Sequence, residues 1–169
     1  ERAAVAGIFH LDTAPLYGES ERRLGECLPQ TGEFHITTKT PQFNDTTITD
    51  HDVRRLEESF HASLEKLKQP SVYGLLVHRV DDLLKPGGDR LYDAMASLKR
   101  RGLVTKIGFS AYTPEQVECA TALFHFDMIQ APVNVLDQRL LMGGHLARLK
   151  TQGIEIHARS VFLQGLLLM

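Results

Sequence analysis

The chain has 169 residues, 43% hydrophobic and 24% charged, with a formal net charge of −2 at pH 7. This is an ordinary globular composition, and the near-neutral charge gives no electrostatic basis for binding nucleic acid or an acidic membrane. No apolar run reaches the ~18 residues of a membrane span, "ERAAVAG" lacks the apolar core of a secretory signal, and Cys27 and Cys119 have no CxxC partner, so a reducing, cytoplasmic setting is expected.

The first segment, "ERAAVAG", reads as the interior of a helix. "GIFHLD" follows as a strand ending at Asp12, with Tyr17 five residues on. "SERRLGECL" is a predicted helix with Leu24 and Leu28 on one face and Ser20 as its expected N-cap. "FHITTK" is a strand ending at Lys39. The clearest helix is "TDHDVRRLEESFHASLEKLKQ", whose Val53, Leu56, Phe60, Leu64 and Leu67 follow an i, i+3, i+4 stripe. Thr49 and Asp52 resemble an acidic capping box at its start. "VYGLLVH" is a strand ending at His78.

"RLYDAMASLKRRG" carries Leu91, Met95 and Leu98 on one stripe. Its terminal Lys99, Arg100 and Arg101 match the helix dipole and need no nucleic-acid partner. "VTKIGFS" is a strand ending at Ser110. The next helix starts with Thr113 as cap and Pro114 at its first position. "FDMIQ" is a strand ending at Gln130. "MGGH" opens a helix that ends on Gly153, and two adjacent glycines alone make no phosphate cradle. "IEIHARS" is a strand ending at Arg159 and Ser160, before the apolar "VFLQGLLLM". The helical beginning and apolar end suggest a piece of a longer chain.

The strands are apolar on both parities, the pattern of a parallel sheet covered on both faces. Strand–helix alternation implies repeated βα units. A doubly wound sheet would place a Gly-rich turn after the first strand, and no GxGxxG occurs. A (β/α)8 barrel takes about 250 residues, so the expectation is an α/β fold: an incomplete TIM-type (β/α) barrel of about six of eight units, with residues 1–169 forming one partial domain.

In such a barrel, chemistry gathers at the C-terminal strand ends. Those ends supply Asp12 with Tyr17 beyond it, then Lys39, His78, Ser110, Gln130, Arg159 and Ser160. A tyrosine hydroxyl, with a pKa of about 10, is a poor acid at neutral pH. A nearby lysine ammonium favours the tyrosinate, an aspartate holds that lysine charged, and a neutral histidine can orient a carbonyl oxygen. Positioned proton donation is worth roughly 10²–10⁴-fold, and this set suits protonation of an alkoxide forming as hydride reaches a carbonyl.

The stretch "FHLDTAPLYGESERRLG" resembles the aldo-keto reductase signature D-T-A-x-x-Y-G-x-S-E. "ITTKT", "LLVH", "GLVTKIGFSAY" and "IQAPVNVLDQR" resemble its later strands, in order and at suitable spacing. The resemblance implies an NADPH-dependent barrel reducing aldehydes or ketones by hydride transfer. It carries over Asp12, Tyr17, Lys39 and His78 as catalytic residues, with Tyr17 the proton donor. It implies cofactor contacts at Asp12, Ser110, Gln130, Arg159, Ser160 and Gln164. Two features depart from the family: "SA" replaces "SN", leaving Ala111 without an amide, and Arg159 stands where an aromatic often stacks on nicotinamide. The family's first and eighth barrel strands would lie outside this chain.

Two rival readings fit parts of the sequence. A metal-dependent hydrolase could use His10 with Asp12, but no HxH or HExxH is present and no metal ligand is assigned. His10, His35 and His157 lie below the strand ends at inward parity, where a packed core layer is the simpler expectation. A non-catalytic relative would keep the pocket without turnover, yet all four catalytic positions are filled.

Overall fold

The computed structural model describes residues 2–29 and 33–168. A short helix α1 (Arg2–Val5) precedes β1 (His10–Asp12), α2 (Ser20–Cys27) and β2 (His35–Lys39). Then come α3 (Asp50–Leu67), β3 (Val72–Val77), α4 (Asp81–Leu84), α5 (Gly88–Arg100) and β4 (Val104–Ser110). The last part holds α6 (Pro114–Leu123), β5 (Met128–Pro132), α7 (Arg139–Met142), α8 (His145–Thr151), β6 (Glu155–Arg159) and a 3-10 segment, Leu163–Leu168.

All neighbouring strands pair in parallel, and sheet order equals chain order from β1 to β6. The order never reverses, as it would in a doubly wound sheet. The sheet also curls: the rings of His10 on β1 and His157 on β6 lie 5.5 Å apart although their strands are not paired. The architecture is therefore a partial (β/α) barrel, as expected.

Helices cover the outer face. Leu56, Phe60, Leu64 and Leu67 of α3 and Leu91, Met95 and Leu98 of α5 are buried with Ile36, Leu75, Ile107 and Ile129 of the strands. Full burial of each such side chain is worth about 1.5–3 kcal/mol, which anchors the strand ends above it. Asp52 closes the start of α3, accepting from the Thr49 N–H at 3.0 Å and hydroxyl at 2.9 Å. Thr113 accepts from Gln116 N–H at α6, and Pro114 follows it as expected. Gly25 lets α2 rest on the end of α3, where a Cβ would come within 2.1 Å of the Lys66 carbonyl oxygen.

Two expectations are corrected. Ser20 is the first helical residue of α2 rather than its cap; Glu19 occupies the cap position without a side-chain bond to the helix N–H groups. The Ser20 hydroxyl instead accepts from Thr13 Oγ1 at 3.0 Å, drawn to the end of β1. Burial on both faces holds for β3, β4 and β5 but fails for β1 and β6. Those two strands are the edges of the described sheet, and each has a single neighbour.

Candidate active site

Parallel register levels the strand ends. Asp12 pairs with Thr37, Lys39 with Leu76, Ser110 with Gln130, and Pro132 with Arg159. Polar residues that end successive strands therefore share one rim of the curl.

Lys39 is the buried centre of that rim, with its side chain 1% exposed. Its ammonium donates to Asp12 Oδ1 at 2.7 Å, Asp12 Oδ2 at 2.8 Å and the Thr13 carbonyl at 2.9 Å. All three donors of the ammonium are thus engaged. A buried cation needs such partners, because an unpaired one would lose its hydration without return. The same ammonium lies 4.8 Å from the centroid of the Tyr17 ring. The Tyr17 ring is half exposed and meets His78 edge to face at 6.1 Å.

His78 is partly buried just past β3. Its N–H donates to Thr40 Oγ1 at 3.2 Å, while its Nδ1 is buried without a partner. Burial first, and then the Lys39 charge, lower its pKa below the usual histidine value. A neutral imidazole therefore faces Tyr17 at neutral pH. Asp12, Tyr17, Lys39 and His78 come together as the sequence predicted.

The residues predicted for a cofactor divide. Gln130 is buried, and its amide nitrogen donates to Asp12 Oδ1 at 2.9 Å. Its Oε1 accepts no hydrogen bond among the described residues and remains available. Ser110 is buried beside it at the end of β4. Arg159 lies 4.0 Å over the Tyr112 ring and donates to the Ala111 carbonyl at 3.2 Å; its Nε is buried without a partner. Ser160 and Gln164 lie past β6 with φ of 55° and 57°, and among the described residues no side-chain hydrogen bond joins them to Asp12, Tyr17, Lys39 or His78. Asp12, Gln130 and Arg159 border a cavity of about 490 Å³.

Some supporting residues were not foreseen. Glu21, 1% exposed, accepts from Thr38 Oγ1 at 2.7 Å, directly before Lys39. Its place in the "GESE" segment was read only as part of a motif. Asp82, also 1% exposed, accepts from Lys85 at 2.6 Å and from the Phe43 N–H at 3.3 Å. Lys85 donates in addition to the Phe43 carbonyl, so Asp82 pins the loop beside His78.

Below the rim, inward side chains form a second cluster: His10, His35, Tyr73, Lys106, Glu155 and His157. A packed core layer was expected, but His10 and His35 are exposed: His10 lies on the edge strand β1 and lines the cavity, and His35 borders a separate pocket with Phe34, Ile36 and Tyr73. Glu155 was overlooked; its i, i+2 spacing to His157 on one strand face was the available signal.

The aldo/keto reductase family profile matches residues 1–169. Among curated proteins, aldo-keto reductase YhdN of Bacillus subtilis is 29% identical over 147 residues, 82% of this chain and 44% of YhdN. Aldo-keto reductase str7 of Strobilurus tenacellus is 30% identical over 173 positions, covering 99% of this chain and 50% of str7. Among solved structures, the holo form of aldo-keto reductase AKR11C1 from Bacillus halodurans has a TM-score of 0.80 at 22% identity, covering 98% of this chain and 56% of that one. Bombyx mori aldo-keto reductase AKR2E4 has a TM-score of 0.65 at 22% identity, covering 90% and 52%. These two likenesses bear on the fold. The chain spans about half the length of the curated relatives it matches.

Proposed function

The chain belongs to the aldo/keto reductase family, and from that premise we propose that it serves the reduction of an aldehyde or ketone to an alcohol, with Tyr17 as proton donor. The observation that carries this reading is the Lys39–Asp12 pair seated beneath the Tyr17 ring, with a neutral His78 at its edge. A carbonyl oxygen placed between the Tyr17 hydroxyl and His78 meets a proton donor and a polar orienting group together. NADPH, when bound, supplies the hydride.

Each residue then has a defined task. Asp12 holds Lys39 charged and in place. The Lys39 ammonium favours the negative charge left on Tyr17 after it gives its proton, an electrostatic contribution that needs no rearrangement. His78 orients the carbonyl oxygen without adding a charge. Gln130 Oε1 and the Ser110 hydroxyl suit the carboxamide of a nicotinamide, because Gln130 spends its N–H on Asp12 and keeps an acceptor. Arg159, braced on Tyr112 and Ala111, offers a planar face to the same cavity. Ser160 and Gln164 are proposed at the pyrophosphate. AKR2E4 was solved in complex with NADP, which supports the choice of cofactor. A small carbonyl compound is the expected partner. The exposed free thiols Cys27 and Cys119 support a cytoplasmic setting. Among the described residues, no helix is long and apolar enough to cross a membrane.

The test is NADPH oxidation with a panel of aldehydes, comparing the parent with Tyr17→Phe. Turnover should fall by roughly 10²–10⁴-fold while NADPH binding, followed by its fluorescence, stays unchanged. Equal turnover in both proteins would remove Tyr17 from the donor role. NADPH binding without turnover in the parent would instead favour a non-catalytic relative.

A further inference from the structure

We propose that His10, Glu155 and His157 form a site for a divalent transition metal, with Zn²⁺ the best match, that ties the first and last strands of the sheet together inside the curl. This inference does not depend on the reductase reading.

The three residues come from the two edges of the described sheet. Glu155 and His157 lie two apart on one face of β6, and His10 faces them from β1, with which β6 shares no ladder. One ligand atom from each lies within 4.8 Å of the others. His157 Nε2 is 2.5 Å from Glu155 Oε1, and the His10 and His157 rings meet at 90°. Two imidazoles and a carboxylate form an established donor set for Zn²⁺, held at about 2.0–2.2 Å with a fourth position left open. Modest side-chain rotation brings ligand atoms at these separations to a common centre. The cavity of about 490 Å³ in front of the three leaves room for a fourth, water ligand.

The surroundings prepare the ligands. Glu155 divides its oxygens: Oε2 accepts from the Tyr73 hydroxyl at 2.6 Å and from Lys106, while Oε1 faces His157. Outer partners of this kind orient a ligating carboxylate. His35, stacked on Tyr73 at 4.3 Å, places Nδ1 3.4 Å from His10 Nε2 and steadies that ring. Lys106 is the opposing charge, and it occupies the carboxylate oxygen away from the histidines.

The test uses the purified chain, Zn²⁺ and Co²⁺, in a non-chelating buffer. Calorimetry should find one Zn²⁺ per chain, weakened roughly tenfold or more in His10→Asn, Glu155→Gln and His157→Asn. The Cys27→Ser/Cys119→Ser double variant should bind as the parent does. The Co²⁺ form should show visible bands of nitrogen and oxygen ligands without thiolate charge transfer. Zinc at a hundredfold excess over Kd should raise Tm by roughly 5–10 °C. Absence of stoichiometric uptake would overturn the proposal. So would uptake that survives His10→Asn and His157→Asn, or that is lost with the cysteines. If a ligand variant does not fold, the Co²⁺ spectrum of the parent decides between imidazole–carboxylate ligation and the overturning thiolate result.

Discussion

Lys39 meets Tyr17 across the ring face, at 4.8 Å, and gives none of its ammonium protons to the phenol oxygen. Those protons go to Asp12 and to the Thr13 carbonyl. In the proposed reaction Lys39 would therefore act on Tyr17 as a fixed, partnered charge rather than as a proton relay.

Lys39→Met removes that charge and leaves the shape of the side chain nearly intact. Turnover is expected to fall by roughly 10²-fold or more, with NADPH affinity changed far less. Steady-state kinetics beside an NADPH titration checks this. A drop confined to KM would assign Lys39 to binding alone.

Gln130 links the catalytic group to the proposed carboxamide contact, since its N–H goes to Asp12 at 2.9 Å and its Oε1 is free. Hydrogen bonds to charged groups are worth about 1.5–3 kcal/mol, so Gln130→Leu should lower kcat/KM by roughly 10–100-fold. Gln130→Glu should do worse, because it sets a second carboxylate against Asp12. If the Glu variant equalled the Leu variant, that like-charge argument would fail.

His78 carries a pH signature. Its folded pKa lies below the ordinary histidine value of about 6.5, because of burial and then Lys39. The unfolded chain takes up this proton first as pH falls. The contribution of His78 to stability is complete above about pH 6.5 and is lost as pH drops through the lower folded value. Urea unfolding between about pH 8 and pH 5 should show a steeper loss for the parent than for His78→Asn. Parallel curves would contradict it.

Asp82 supports the loop beside His78. Removing one partner of a buried ionic network strands the others, and Asp82→Ala is expected to cost about 3–5 kcal/mol. Denaturant midpoints measure the loss. A change within about 0.5 kcal/mol, the usual range for a surface substitution, would mean that Lys85 and the Phe43 N–H find other partners.

The elements were readable because their signals are local. The α3 stripe, Thr113 with Pro114, and the basic end of α5 each lie within a few turns of chain. Ser20 misled because its hydroxyl had a tertiary competitor in Thr13. The exposure of β1 and β6 was hidden for a related reason: an apolar strand does not reveal whether it has one neighbour or two.

By itself the sequence determined the βα order and the residues at the rim, because strand ends follow from local patterning and parallel register levels them. Tertiary structure decided where the hydrogen bonds go. It sent Gln130 to Asp12, brought Lys39 to the face of Tyr17, and set Glu155 and His157 opposite His10. The physical reason is curvature. The curl of the sheet brings together side chains from unpaired strands, and no periodicity along the chain encodes which of them will meet.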